Sequence, residues 1–566
     1  MVRSAESRRE AIGLRHPQWV EERLEAYFDR TATEFAGRPL ILTDERLFTY
    51  EEVVELSIRF ANTLTAQGVR QGDRVGLVMA NYPLTVPMLF GIWRIGAIAV
   101  PINTLYRADE LEFVIRDAGC ALLIIMDRFG ERRFARELDQ RALGWRDGRC
   151  KTLPELKGAL IYDDAHPYAH FDATTYAPPV VSSMAIHDPA VIMFTSGTTG
   201  APKGVVQTHD NLLRAAYAGA YHQAFEDGRR AVFSLPLYHA FGLVVGLLSG
   251  LVVGGSIIPL LRFDPDAILR AIGAHRATFL MAVPTMTISL LKQAKRHSYD
   301  FSSLTAVHSA AAPTPSWVWE EIKEIFGCDE IFTSYGQTET TATIVCTKPT
   351  DPIEIVSETQ GCVVQAGVAG IPELGGVIAE FKTINPTTGE ELPVGTTGEL
   401  CTKGPLNSLG YFRNQSETEK LLLPGGWLKM GDLGQFRADG NLLLTGRTKD
   451  LYKSRGELVS PKELEQILTT HPSVSQAFFI GMPDSEYGEC GCAWVVRAEN
   501  QAISTDEVLS FLSTRVARYK LPRDVWFIEE SQLPKTGTGK VQKSILRDMA
   551  IQTLAERIAL AQGKNQ

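Results

Sequence analysis

Residues 195–204 read Thr-Ser-Gly-Thr-Thr-Gly-Ala-Pro-Lys-Gly and follow directly on the apolar run Ala190–Phe194. Four hydroxyls, three glycines and one lysine fall within ten positions. Glycine lets a loop take backbone angles closed to other residues, so its amides can crowd onto a ligand. Hydroxyls and amides offer donors to phosphate oxygens, and Lys203 adds a positive charge. Most Gly/Ser/Thr clusters are surface turns. Threonine at this density behind a buried-looking strand instead points to a phosphate cradle made of Thr195, Ser196, Gly197, Thr198, Thr199, Gly200 and Lys203, with Pro202 stiffening the exit.

Outward from this loop, short apolar runs alternate with helical patterns. Helical spacing is expected over 20–36, Tyr50–Gln67, Leu84–Ile95 and Arg107–Ala118, and buried strands over Asp73–Met79, Ile98–Ile102 and Leu122–Met126. A hairpin-like pair is expected at Pro39–Leu42 and Leu47–Tyr50. Such alternation predicts an α/β fold built on parallel or mixed sheets wrapped by helices. Residues 128–180, richer in charge and proline and without clear periodicity, read as a mostly surface excursion. Between Glu354 and Leu444 the texture shifts to short β-like runs cut by glycines, which suggests a small barrel or sheet. A fresh set of strands and helices begins after Thr448. A chain of 566 residues exceeds one core, and the expected domains are 1–448 and a small α+β domain, 449–566, with the boundary at Arg447–Asp450.

Composition bounds the partners. A net charge of −9 argues against general nucleic-acid binding, which needs a basic face. Mean hydropathy near zero and a charged, non-apolar N-terminus fit a cytoplasmic protein without stable membrane insertion. Ala231–Leu261 carries no Lys, Arg, Asp or Glu and places Gly242, Gly246, Gly250 and Gly254 every fourth residue, like a transmembrane dimer face. His239, Gly254-Gly255 and Pro259 interrupt it, so a fully buried helix over Phe241–Val253 is expected, its glycine face admitting a neighbouring backbone. The eight cysteines form no CxxC pair and read as buried free thiols. A homodimer is left open.

Three further segments are candidates for chemistry, each with a plainer alternative: a strand-ending turn with a solvated acid, a turn aspartate and an exposed surface lysine. Tyr335-Gly336-Gln337-Thr338-Glu339 offers an aromatic face for a purine, a hydroxyl for the α-phosphate and a carboxylate for Mg²⁺. Asp432, behind Trp427-Leu428-Lys429-Met430-Gly431, can accept hydrogen bonds from both ribose hydroxyls. Lys540 closes Leu533-Pro534-Lys535-Thr536-Gly537-Thr538-Gly539, where an ammonium can stabilise charge building on phosphorus. The common GxxxxGK[ST] nucleotide loop is absent, because Pro534 holds its first glycine position and Lys203 follows Pro202.

The run TSGTTGAPKG resembles the signature of the adenylate-forming superfamily, which includes acyl-CoA synthetases and the AMP-dependent synthetases and ligases. The other motifs match it in order over roughly residues 20–550: YGxTE at Tyr335–Glu339, TGD with Met430 in place of threonine, and LPxTxxGK at Leu533–Lys540. This resemblance implies ATP-dependent activation of a carboxylic acid to an acyl-adenylate, then thioester formation with coenzyme A. It implies Thr195 and Glu339 as holders of Mg²⁺, with Lys540, Thr198, Glu339 and His239 acting in catalysis. Ala311, Ala312, Pro313, Thr333, Tyr335, Gly336, Gln337, Thr338, Asp432 and Arg447 are implied around the nucleotide. The small domain is implied to pivot at Lys449, withdrawing Lys540 and bringing in the loop at Lys453 with its Arg455 and Leu458 departures. Gly398-Glu399-Leu400 and Gly404-Pro405 match a further motif read as structural, and Lys543 stands where arginine is usual.

An acyl pocket walled by His239, Ala240, Phe241, Ser309–Ala312, Gln337 and Thr340–Ala342 is implied, with alanines where the family has glycines near 310. These segments hold no Lys or Arg, and no acid lies between Ala231 and Leu261, so an apolar monocarboxylate is favoured over an amino acid or diacid. Two other functions stay open at this stage: a stand-alone adenylate former that passes acyl-AMP to a partner, and an ATP-binding regulatory protein.

Overall fold

The computed structural model describes residues 4–171, 185–195, 202–312, 314–454, 457–484, 488–535 and 541–563. The chain divides into two compact units, Met1–Glu380 with Thr402–Leu428, and Phe381–Cys401 with Lys429–Gln566. This division falls elsewhere than Arg447–Asp450, since 381–401 and 429–448 group with the C-terminal part of the chain.

The first unit holds two large sheets. One has seven strands in the order Glu330–Phe332, Ala306–Ser309, Phe279–Ala282, Arg230–Phe233, Ser256–Pro259, Pro39–Leu42 and Leu47–Thr49. Its neighbours are parallel except for the final hairpin. The other runs Lys203–Thr208, Pro189–Thr195, Ile98–Pro101, Arg74–Val78, Cys120–Met126 and Gly158–Tyr162. It is parallel except for its first pair. All seven residues of Cys120–Met126 are buried, as a strand covered on both faces requires.

The expected helices form for identifiable reasons. Thr49 caps Tyr50–Ala66 by accepting from the Glu52 amide at 3.2 Å while the Glu52 carboxylate accepts from the Thr49 amide at 2.8 Å. That helix buries Val53, Leu56, Phe60, Ala61 and Leu64. Gly91, on Thr85–Arg94, lets the two helices close up: a Cβ there would lie 2.9 Å from the Ser57 carbonyl oxygen.

Two expectations are corrected and one unassigned segment gains a helix. Residues 128–180 are no mere surface excursion, because Gly158–Tyr162 adds a parallel strand to the six-stranded sheet beside Cys120–Met126. The polar N-terminus contains a helix, Ala5–Arg15, whose weak apolar periodicity hid it; Ser4 caps it and Arg8 and Ile12 are buried. The glycine-faced segment is a π-helix over Phe241–Leu248, continued as one α turn at Ser249–Leu251. Ser249 supports that wider winding by donating both its amide and, at 3.0 Å, its hydroxyl to the Val244 carbonyl. Gly242 and Gly246 do admit close neighbours, the Pro236 carbonyl and the Phe233 ring, whereas a Cβ on Gly250 would meet nothing nearer than 4.0 Å.

The second unit is α+β. Asp432–Phe436, within the strand Trp427–Phe436, pairs antiparallel with Leu442–Arg447. Beyond it a sheet runs Glu457–Val459, Tyr452–Ser454, Gly488–Arg497 and Val474–Asp484, with Asp524–Phe527 parallel to Gly488–Arg497. The period of two splits its side chains between two cores. Phe479 and Val495 pack with Tyr452, Leu464 and Leu512, while Ile480, Met482 and Trp494 pack with Leu546 and Ala550.

Candidate functional site

In the first unit the threonine-rich segment links two antiparallel strands. Thr195 pairs with Lys203 and Phe194 with Gly204. This is a strand-to-strand connection, unlike the strand-to-helix turn of the common nucleotide loop. Ser196, Gly197, Thr198, Thr199 and Gly200 lie outside the described residues, as do Pro313 and Lys540.

The flanking strand is stitched to 406–412, a segment that sequence reading left unassigned. Amides of Val206, Leu409 and Phe412 donate to carbonyls of Gly410, Val206 and Gly204 at 2.7–3.0 Å. The same segment grips the turn Thr338–Thr340: the Ser408 amide donates to the Glu339 carbonyl at 2.9 Å and Thr341 Oγ1 to the Leu406 carbonyl at 2.8 Å. From the strand itself, Gln207 Nε2 donates to the Thr338 carbonyl at 2.8 Å. Hairpin and turn are thereby set on one frame.

On this frame sit two groups of opposite charge. Lys203 Nζ is ion-paired with Glu417 and lies 5.1 Å from the centre of the Tyr411 ring. Tyr411 Oη donates to Glu339 Oε1 at 2.8 Å. Glu417 also takes Lys420 at 2.5 Å, and the hydrogen bonds from the two ammoniums hold its carboxyl down at about 2. Glu339 is half-buried, and its second oxygen has no hydrogen-bond partner among the described residues. The open carboxylate oxygen of Glu339 and the half-buried Thr195 hydroxyl are hard oxygen donors, a chemistry that fits a magnesium ion completing its shell with water and phosphate.

Around the turn the backbone is tightly confined. A Cβ on Gly336 would stand 1.7 Å from the Ala342 carbonyl oxygen, so only glycine fits. Gln337 Nε2 donates to Tyr335 Oη at 3.3 Å, and the Tyr335 ring is buried. The Thr333 amide donates to Thr347 Oγ1 at 3.0 Å. His308 meets the Ser334 hydroxyl at 2.8 Å and the edge of Phe241 at 5.0 Å, and burial lowers its pKa to about 3.

Ala310, Ala311 and Ala312 follow the carboxyl end of Ala306–Ser309, where parallel sheets place ligand sites. Ala311 is exposed at φ +74°, a left-handed conformation that glycine would take freely and that costs another residue about 1–2 kcal/mol. His239 packs against Tyr238 at 4.9 Å, and burial lowers its pKa to about 4, so it is a neutral imidazole near pH 7. It makes no side-chain hydrogen bond among the described residues.

In the second unit Asp432 and Arg447 are direct register partners across the antiparallel pair, and Arg447 Nε lies 3.1 Å from Asp432 Oδ1. Gly431 takes φ +66° to make the bend, closed by the Thr448 amide on its carbonyl at 2.9 Å. Lys462, half-buried nearby, has its pKa pulled down to about 8 by burial, opposed by the Asp432 and Glu465 charges. Lys453 lies on the strand Tyr452–Ser454, with its side chain outside the described residues. Lys543, the departure from arginine, bonds Glu465 at 2.7 Å and faces Asp450 at 3.7 Å.

Geometry thus joins Thr195 with Lys203, Tyr335 with Gln337, and Asp432 with Arg447. It adds Tyr411 and Glu417, which sequence reading missed. The one local signal for them was a Gly-Tyr pair ahead of an acidic helix, Gln415–Leu421, whose partners lie far away in the chain.

Comparisons with known proteins bear on the family of the chain. The family model for AMP-binding enzymes matches residues 21–412, and that for the AMP-binding enzyme C-terminal domain matches 463–540. The Bacillus subtilis (strain 168) protein YngI is 32% identical over 560 residues, covering 94% of this chain and 96% of its own. The 3-[(3aS,4S,7aS)-7a-methyl-1,5-dioxo-octahydro-1H-inden-4-yl]propanoyl:CoA ligase of Rhodococcus jostii (strain RHA1) is 31% identical over 527 residues, covering 92% and 97%. Among solved structures, the anthranilate CoA ligase AuaEII in complex with anthranoyl-AMP superposes with a TM-score of 0.80 at 27% identity, covering 94% and 98%.

Proposed function

From the premise that the chain belongs to the AMP-binding enzyme family and is an ATP-dependent acyl-CoA synthetase, we propose that its acid is a largely apolar monocarboxylate. The acid's carboxylate attacks the α-phosphorus of ATP, pyrophosphate leaves, and the acyl-adenylate forms. Coenzyme A sulfur then bonds to the acyl carbon as the carbon–oxygen bond to AMP breaks.

The observation that carries the residue assignment is Glu339, one oxygen held by Tyr411 and the other open, beside the strand pair that flanks the threonine-rich loop. Thr195 and Glu339 would hold magnesium, which neutralises phosphate charge when bound. Thr198 and its neighbours, with Lys203, take phosphate oxygens; Tyr335 and the Ala311–Pro313 segment flank the base; Thr338 meets the α-phosphate. Asp432 accepts from the ribose hydroxyls, and Arg447, already turned onto Asp432, fixes that carboxylate. Lys540, carried by a cap from residue 449 onward that turns at Lys449, stabilises the charge that builds on phosphorus. Free thiols at all eight cysteines suit a cytoplasmic enzyme, and no described helix is long and apolar enough to cross a membrane.

The substrate class rests on charge. His239 is neutral, and Ser309–Ala312, Gln337 and Thr340–Ala342 include no cation. A second carboxylate on the substrate would be desolvated without a partner, which is costly. Relatives are named for a propanoate, for anthranilate and for the diacid o-succinylbenzoate, so the class rests on the charge argument and not on their names.

The test is acid-dependent exchange of pyrophosphate into ATP across a panel, followed by thioester detection on adding coenzyme A. Fatty, aryl and polycyclic monoacids should support exchange at least about tenfold better than matched diacids. A diacid preference would overturn the substrate class. Lys540→Ala should slow exchange by about a thousandfold with little change in ATP affinity, and unchanged exchange would remove Lys540 from the mechanism.

A further inference from the structure

We propose that Tyr411 is a positioning residue that commits one oxygen of Glu339 and leaves the other for the metal, while its ring seats Lys203. The inference rests on the assignment of Glu339 as a magnesium holder. No motif led to Tyr411; its place in the fold did.

The side chain touches both charged groups of the first unit's site. Its hydroxyl donates to Glu339 Oε1 at 2.8 Å, and its ring lies under the Lys203 ammonium at 5.1 Å. The direction of the hydrogen bond is fixed, because an ionised carboxylate only accepts. Burial and the adjacent Glu339 charge push the phenol pKa well above its ordinary value, so the proton stays on Tyr411 at any physiological pH. A cation over the ring face and an anion at the hydroxyl polarise the phenol in one sense and strengthen both contacts.

The backbone holds Tyr411 as firmly as its side chain holds the two charges. Tyr411 bridges Val205 on the flanking strand, and its amide donates to Thr418 Oγ1 at 2.9 Å. Gly410 takes φ +104°, where a Cβ would stand 2.3 Å from Thr418 Cγ2, so the ring is delivered from a turn that other residues could not make. The Glu339 backbone is tied to the same segment through the Ser408 amide. A carboxylate fixed at one oxygen presents the other in a single direction, which is what monodentate magnesium ligation needs. Without the hydroxyl, Glu339 would rotate freely and lose that freedom only when metal binds, which weakens binding.

Tyr411→Phe tests this directly, since it keeps the ring under Lys203 and deletes only the donor. Half-saturating Mg²⁺ in pyrophosphate exchange should rise about tenfold, as expected for losing a hydrogen bond to a charged group. Titration calorimetry with Mn²⁺ and ATP should show the same factor. ATP binding in EDTA, the KM of the acid and the melting temperature should barely move, which a merely structural role would not produce. Glu339→Gln is run alongside. If both variants shift the metal requirement, the proposal stands. If Glu339→Gln shifts it and Tyr411→Phe does not, Tyr411 has no positioning role while Glu339 keeps its own. If neither shifts it, the reading of Glu339 as metal ligand fails and the proposal falls with it.

Discussion

Both units carry a pair of opposite charges among their candidate functional residues, and the pairs are made in different ways. Lys203 and Glu417 stand 214 residues apart and meet because 406–412 lies along the hairpin strand. Asp432 and Arg447 meet because two consecutive strands place them in direct register. The first pair adds a third member, Tyr411, and through it Glu339; the second is closed on itself by a bend at Gly431. A long-range pair is a product of the whole sheet and can be lost by damage to the frame. A register pair needs only its own hairpin.

That contrast can be broken in several ways, starting with acid. The first unit holds five histidines, three buried and two half-buried, whose pKa values lie below the ordinary 6.5: the half-buried His16 and His239 near 4, and the buried His209, His222 and His308 near 3. Burial is the main cause in each, and the sign follows from it. The unfolded chain binds protons from pH 6.5 downward while the folded unit does not, so stability is intact above 6.5 and is lost as pH falls toward 4 and 3. Each histidine contributes up to about 1.4 kcal/mol per pH unit in that window. Proteolysis or hydrogen exchange at pH 7 and pH 5 should show the first unit opening ahead of the second; equal loss in both would defeat the prediction.

Next in size is Gly336→Ala. Its Cβ would collide with a backbone oxygen, which cannot swing away as a side chain can, so a loss of about 3 kcal/mol or more is expected. Urea denaturation of the first unit, followed by tryptophan fluorescence, measures it. Lys203→Met should then cost about a hundredfold in kcat/KM for ATP, as for removal of a preorganised charge donor, whereas Arg447→Met should cost only about tenfold because Asp432 retains its own strand position. The reverse order in exchange assays would show that the register pair, and not the long-range one, dominates. Smallest is Gly431→Ala. Among the described residues, no atom beyond its two chain neighbours lies within 4 Å of the added methyl, so only the left-handed backbone cost of about 1–2 kcal/mol is due. A loss matching that of Gly336→Ala would mean that the bend is as confined as the turn.

What could be read along the chain was what neighbours encode. Helices at Tyr50–Ala66 and Thr85–Arg94, and strands at Arg74–Val78 and Cys120–Met126, arise from periodicity and caps. The α/β class comes from their alternation, and the loop, the Tyr335–Glu339 turn and Asp432 announced themselves by residue type. Ala5–Arg15 escaped because its sequence is polar almost all round. Gly158–Tyr162 escaped because it sits within charged loops and becomes a strand only by pairing with Cys120–Met126. The π-winding of Phe241–Leu248 escaped because an apolar run with spaced glycines reads alike for either helix.

The sequence by itself nominated candidate side chains for phosphate, metal and ribose, and determined the order in which they come, because each motif is a short-range choice of residue type. Tertiary structure alone decided that Tyr411 lies between Lys203 and Glu339, that Glu417 holds Lys203, and that Ala311 sits in a glycine's conformation. The reason is physical: which distant segments touch is set by strand order and register, and those depend on how the whole set of apolar faces is buried together.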